Sequence, residues 1–374
     1  MVMSLRKSTQ LLLQDGSNQF TARLFTEVAK ANSQKSFILS AISVMPPLAE
    51  LALASVGESH DELLAAIGMP SDNTTKAVFS YANKELKNIK GITLNTASKI
   101  YVGKNYELKD DFVAVVKDVF DSEVQNIDFI DNVNAAAEIN RWVEDKTNNR
   151  IKDLVDPDSV SMTKALLVNA IYFKGTWENK FDKQLTEDKD FHVSNNNVIQ
   201  VPMMYQVGVF DYVHSEELKS EIIEIPYAGR QVSLVVILPR EVDGIAELLE
   251  KLKDPNIIAN ALKQKHKENV RLILPRFKIE TTTDLTNVLV KIGVTKLFNP
   301  SESKLNNMLK GGENVSIDSA VQKAFIEVNE EGTEASAANT FFFLSAVQDF
   351  IANRPFYYAI KTNSLTLFNG VMYG

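Results

Sequence analysis

Glu327-Val328-Asn329-Glu330-Glu331-Gly332-Thr333-Glu334-Ala335-Ser336-Ala337-Ala338, then Asn339-Thr340, then Phe341-Phe342-Phe343-Leu344-Ser345-Ala346-Val347: on this segment near the C-terminus the architecture turns. It opens as the polar-capped end of a strand, passes through one glycine into small residues, and finishes in an apolar stretch. Glycine allows the backbone to change direction there. Taken alone, the Phe/Leu/Val run is either a buried core strand or an exposed liability.

Outward from it, the second half of the chain is rich in strands. Residues 198–212, 232–238, 270–279, 320–328 and 365–373 carry the β-branched and aromatic content of strands, interrupted by helical patterns at 244–253 and 284–292. The first half is mostly helical. Phe20, Leu24, Phe25 and Val28 recur at helical spacing, as do Leu63, Leu64 and Ile67 behind the acidic start at 58–62. Residues 134–148 place Ile139, Trp142 and Val143 on one helical face, and 92–102 and 165–173 are strand-like. No fixed-period repeat, low-complexity tract or Gly/Ser linker divides the chain. Helices first and strands later predict an α+β fold, with residues 1–374 forming a single domain. At 374 residues, 45% hydrophobic and 24% charged, the chain is long enough to bury a self-sufficient core.

Composition removes several functions. With no cysteine, thiol catalysis, zinc–cysteine clusters and iron–sulfur ligation are excluded. A net charge of −8 argues against nucleic acid or an anionic membrane as partner. Leu11, Leu12 and Leu13 behind Arg6 and Lys7 are too short a run for the apolar part of a signal peptide. An intracellular, cytoplasmic location is therefore expected, or an extracellular one after removal of a leader.

Hydrolytic chemistry needs a nucleophile with a base in reach. His60, His192, His214 and His266 are read as surface residues. No nucleophile elbow, phosphate loop, dinucleotide-binding glycine pattern or His-Glu-x-x-His occurs. Asp153, Asp156 and Asp158 lack the glycine and spaced glutamate of a calcium loop and are read as a loop with a helix cap. Lys84, Lys87 and Lys90, with Glu85 among them, are read as a solvated helix surface. No enzyme, cofactor or metal is expected.

The C-terminal segment resembles the hinge and reactive-centre loop of the serpins, and the resemblance covers nearly the whole chain. Asn169-Ala170-Ile171-Tyr172-Phe173-Lys174-Gly175-Thr176-Trp177 is similar to the family's central strand and the breach after it. Val201-Pro202-Met203-Met204, Leu274-Pro275-Arg276-Phe277-Lys278, Asn353-Arg354-Pro355-Phe356 and Phe368-Asn369-Gly370 match further family signatures in the correct order. The resemblance is to an insect-type or intracellular serpin with a shortened loop. It implies about nine helices, three β-sheets and an exposed reactive-centre loop. It also implies a monomeric protease inhibitor, cleaved once as a suicide substrate, which holds the protease covalently while its hinge inserts into the large sheet. The hinge would be Glu330, Glu331, Gly332, Thr333, Glu334, Ala335, Ser336, Ala337 and Ala338. Shutter and breach would comprise Ser40, Ser43, Asn169, Trp177 and Gln322. The alternative within the family is a non-inhibitory carrier, chaperone or storage protein.

The residues can be tested against that implication. On alternating faces, Thr333, Ala335, Ala337 and Asn339 would point one way and Glu334, Ser336, Ala338 and Thr340 the other. Small residues can enter a packed interior, although Asn339 must find a polar partner. About ten new ladder residues at about 1 kcal/mol per hydrogen bond give a driving force on the order of 10 kcal/mol. Two departures stand out. The family's usual Ser-Pro before the shutter helix reads Ser40-Ala41, and Gln322 stands where a histidine is common. Gln322 can bond Asn169 without titrating, so no histidine-type pH switch is expected.

Family spacing puts the cleaved bond after Ala346 counted from Gly332, and after Leu344 counted from Pro355. Leu344–Ser345 suits a chymotrypsin-like protease and Ala346–Val347 an elastase-like one. Ser345–Ala346 would offer Leu344, Phe343 and Phe342 to the subsites of a papain-like cysteine protease. No basic residue lies between 335 and 352, which disfavours trypsin-like targets.

Overall fold

The computed structural model describes residues 2–313, 315–331 and 347–374. Ten α-helices are described: α1 (Val2–Ala31), α2 (Ala41–Ala54), α3 (Glu58–Ala66), α4 (Asp72–Lys87), α5 (Asp110–Phe120), α6 (Asn132–Lys146), α7 (Pro157–Val160), α8 (Ile245–Lys251), α9 (Ile257–Leu262) and α10 (Leu285–Lys291). The early strands are β1 (Phe37–Leu39), β2 (Ile92–Gly103), β3 (Glu123–Ile127), β4 (Ala165–Gly175), β5 (Glu187–Ser194), β6 (Asn197–Ser215) and β7 (Ser220–Pro226). The later ones are β8 (Ser233–Pro239), β9 (His266–Pro275), β10 (Phe277–Asp284), β11 (Ser319–Val328), β12 (Gln348–Ile351), β13 (Phe356–Lys361) and β14 (Thr366–Met372).

Four of the helices, α4, α6, α7 and α10, start at a capping side chain. Ser71 accepts a bond from the Thr74 amide at 3.3 Å, and Asp131 one from Asn134 at 3.4 Å. Asp156 and Ser159 form a reciprocal capping box at α7, so Asp156 is the helix cap expected within 153–158. The single strand expected over 270–279 is two. The chain passes from β9 to β10 through Arg276, whose amide donates to Pro202 O at 2.8 Å in continuation of the β6–β9 register, and the two strands belong to different sheets. His60 and His192 are half-buried rather than fully exposed. The His60 ring lies between Asp72 and Asp61, which raise its pKa against the opposing effect of burial.

Among the described residues hydrogen bonding connects the strands into two sheets where three were expected. The larger has nine strands in the order β1-β14-β13-β8-β7-β6-β9-β12, with β5 on β6. It is continuous because β6, 19 residues long, pairs with β5, β9 and β7 in turn along its length. The smaller has the order β10-β11-β4-β2-β3. Within it β11 and β4 run parallel, in register from Ser319 opposite Leu166 to Ile326 opposite Phe173.

Both faces of β4 are covered, which is why its sequence is a continuous apolar run. Leu166, Val168, Ala170 and Tyr172 pack with Ile139 and Val143 of α6 in one cluster. Ala165, Leu167, Ile171 and Phe173 face the main core with α2. By the same alternation Asn169 belongs to the α2 face. No helix among the described residues is long and apolar enough to cross a membrane.

Candidate functional site

Most of the expected bait lies outside the described residues: Gly332, Thr333, Glu334, Ala335, Ser336, Ala337, Ala338, Phe342, Phe343, Leu344, Ser345 and Ala346. The structure describes its two ends. One is the end of β11 with Asn329, Glu330 and Glu331. The other is Val347, 44% exposed, leading into β12. These ends belong to different sheets, since β12 pairs with β9 in the nine-stranded one. The strand that leads to the hinge lies in the five-stranded sheet, so the sheet expected to be large is the smaller by strand count.

Ser40, Ser43, Asn169 and Gln322 come together under β11 and β4, all buried. The pairing of Gln322 with Asn169 follows from strand register, since the two are direct partners across the parallel ladder. The Gln322 side-chain amide donates to Asn169 Oδ1 at 2.7 Å and to Ser40 O at 2.8 Å, and lies 3.1 Å from Ser43 Oγ. Its Oε1 accepts from the Ser40 amide at 3.1 Å. The Ser43 hydroxyl reaches Asn169 Oδ1 at 2.9 Å, and the Asn169 amide donates to Ser43 O at 3.0 Å.

That last bond has a local cause. Pro46 and Pro47 lie inside α2. Pro47 has no N–H for the carbonyl four residues earlier, and that carbonyl is Ser43 O. Asn169 supplies the missing donor. Ser40 is the N-cap of α2, yet its hydroxyl leaves the helix and donates to Leu367 O of β14 at 2.7 Å. Helix, both sheets and the parallel seam are thus tied through four side chains.

A second group closes the seam at the C-terminal end of β11. The Trp177 indole N–H donates to Asn329 O at 2.7 Å. Its ring stacks on Tyr227 with centroids 4.4 Å apart, and Phe181 meets it edge-on. Gly175 is required for that stack, because a Cβ there would lie 2.3 Å from the Tyr227 ring. Burial pushes the Tyr227 hydroxyl pKa upward, which keeps it neutral. Glu330 is 3% exposed and accepts from Thr186 Oγ1 at 2.7 Å and from Arg276 at 3.4 Å. Glu331, exposed, pairs with Lys183 at 2.7 Å, and that bond holds its carboxyl below the usual range.

Thr186, Arg276, Tyr227 and Leu367 are absent from the sequence-based site. Arg276 stands within a quoted family signature, and Trp177 could have called for an aromatic partner. Thr186 and Leu367 carry no local signal. Among the described residues no three carboxylate or imidazole groups converge as a metal site requires.

Residues 15–373 match a family model described as serpin (serine protease inhibitor). The chain is 52% identical over 366 residues to Alaserpin of Manduca sexta, covering 96% of this chain and 93% of that one. It is also 52% identical over 369 residues to Antichymotrypsin-2 of Bombyx mori, covering 97% and 98%. The structure is similar to that of Serpin48, a highly specific serpin from the insect Tenebrio molitor. The TM-score is 0.86 at 31% identity, over 97% of this chain and 98% of that one.

Proposed function

The chain belongs to the serpin family, and we propose that it is a protease inhibitor that its target cleaves once within residues 344–347. The cut chain then holds the acyl-enzyme while the hinge enters the five-stranded sheet. Loop insertion is a known serpin transition. We read residues 1–374 as one domain built for it.

The observation that carries the reading is the β11/β4 seam. The two strands are direct neighbours and run parallel, so a segment doubling back from the end of β11 would lie antiparallel to both. One parallel ladder would be exchanged for two antiparallel ones, which pair slightly better per residue. The Ser40–Ser43–Asn169–Gln322 cluster bridges the middle of that seam and the Trp177–Asn329 bond closes its end. Both must yield before a strand can enter, and that supports a native state held by a few polar contacts. Loss of one oxyanion-hole donor slows a protease by about 10² to 10³. A driving force on the order of 10 kcal/mol is ample to distort such a site. The target would be a chymotrypsin- or elastase-like serine protease or a papain-like cysteine protease.

The test is incubation with chymotrypsin, pancreatic elastase and papain, followed by denaturing electrophoresis, mass analysis of the released C-terminal peptide and melting of the cleaved chain. The reading requires a denaturant-resistant complex with one of them and a marked rise in thermal stability on cleavage. Cleavage in the loop with neither would transfer the chain to the non-inhibitory members of the family.

A further inference from the structure

A cavity of about 280 Å³ lies between β2 and β4 on one side and α2, α4 and the end of α5 on the other. Its wall is mostly apolar and includes Pro46, Phe79, Leu86, Leu94, Phe120 and Ile171. Glu50 of α2 also lines it. This carboxyl is fully buried, and neither oxygen has a hydrogen-bond partner. Ser122 is near, but its hydroxyl donates to Ser98 O at 3.3 Å. The sequence around Glu50, Leu48-Ala49-Glu50-Leu51-Ala52, is otherwise apolar. Any apolar residue there would avoid the cost of burying an unpaired carboxyl.

The cations around the cavity are not available to Glu50. Lys87 is bonded to Asp121, Lys99 to Glu123 and Gln125, and Lys146 is exposed. Burial pushes the Glu50 carboxyl up to about 8, tempered by Ser122. A positive charge brought against it would draw the proton off into water and form a buried ion pair.

We propose that this cavity is a binding site for a small molecule with an aromatic or aliphatic body and a terminal protonated amine, with Glu50 as the counter-charge. An ammonium group brings three donors and no acceptor, which suits two bare carboxylate oxygens. The body packs against Phe79, Phe120 and the Trp142 ring, which also lines the space. At the small end of ligand-pocket volumes, the cavity suits roughly ten to fifteen non-hydrogen atoms. An anionic ligand would meet the carboxyl with like charge, and a neutral one would leave the ion pair unmade.

Titration calorimetry of the full chain at neutral pH with phenylbutylamine, phenylbutanol and phenylbutyrate tests this. One saturable site is expected for the amine. Binding of phenylbutanol should be weaker by about ten- to a hundred-fold, and so should binding of the amine to Glu50→Gln, a variant of the same shape. In a Trp177→Phe background emission comes from Trp142 on the cavity wall, and the amine must change it. Equal amine affinity in wild type and Glu50→Gln overturns the proposal, as does preference for phenylbutyrate, no binding of the amine, or a silent Trp142.

Discussion

Gln322→Leu isolates the polar part of the shutter, because leucine nearly fills the space of glutamine and leaves little cavity. The substitution removes both amide donors and the acceptor at once. The Ser40 amide loses its partner, Oε1 at 3.1 Å. Asn169 Oδ1 and Ser40 O then compete for the one hydroxyl hydrogen of Ser43, which lies 2.9 and 3.1 Å from them. One of the two is left bare, so two buried groups are orphaned at about 1–3 kcal/mol each, or about 2–6 kcal/mol in all. For a chain of 374 residues the unfolding entropy is about 0.8 kcal/mol per degree, so the first melting transition should fall by about 3–7 °C. The inserted form separates β11 from β4, and with them Gln322 from Asn169, so its stability should change less. Spontaneous conversion to a heat-resistant, non-inhibitory form should therefore accelerate, and differential scanning calorimetry with a residual-inhibition time course measures both. A variant that melts within a degree of wild type and converts no faster would refute the claim that these bonds hold the seam.

Gln322→His should make the rate of that conversion vary with pH between roughly 5 and 7.5, the range in which an imidazole titrates, whereas the wild type stays flat there. A wild-type rate that follows a single titration in this window would contradict the assignment. Trp177→Phe keeps the ring on Tyr227 but deletes the donor to Asn329 O. A loss of about 1 kcal/mol is expected in urea unfolding, with faster entry of an added peptide matching residues 333–343. Glu50, with a carboxyl pKa pushed from 4.5 to about 8, binds more protons folded than unfolded between those values. Stability should therefore fall as pH rises from 4.5 towards 8, and Glu50→Gln should abolish that slope, gaining at most about 5 kcal/mol at the alkaline end. Parallel slopes for the two proteins in denaturant titrations across this range would rule it out.

The strands of the central seam were legible because β4 is a long, mostly apolar run and β11 carries Val321, Phe325, Ile326 and Val328. The cluster beneath them was legible only through family resemblance, since Ser40, Ser43, Asn169 and Gln322 are dispersed in sequence and meet only through register. α2 was legible only as the shutter helix that the resemblance implies, because adjacent prolines at 46 and 47 are local signals of helix termination. Here the helix tolerates them, and a side chain from β4 satisfies one of the carbonyls they leave bare. The break between β9 and β10 left only a slight trace. The buried apolar positions shift phase from Leu272 and Leu274 to Phe277 and Ile279 across Pro275-Arg276, and tertiary pairing shows that the chain changes sheets there. Glu50 did leave a trace, a lone acid in a run of Leu and Ala, but nothing local says whether such a group faces water or a void.

The bond from Trp177 to Asn329 O gives the molecule its own optical gauge. Only two tryptophans exist in the chain, and one of them is fastened to the last residue before the hinge. When the strand end lifts, that indole must exchange a carbonyl for water and loosen from Tyr227, which shifts its emission to the red. Replacing Trp142 with phenylalanine leaves a single fluorophore, so the opening of the sheet can be timed by stopped flow without attaching a dye.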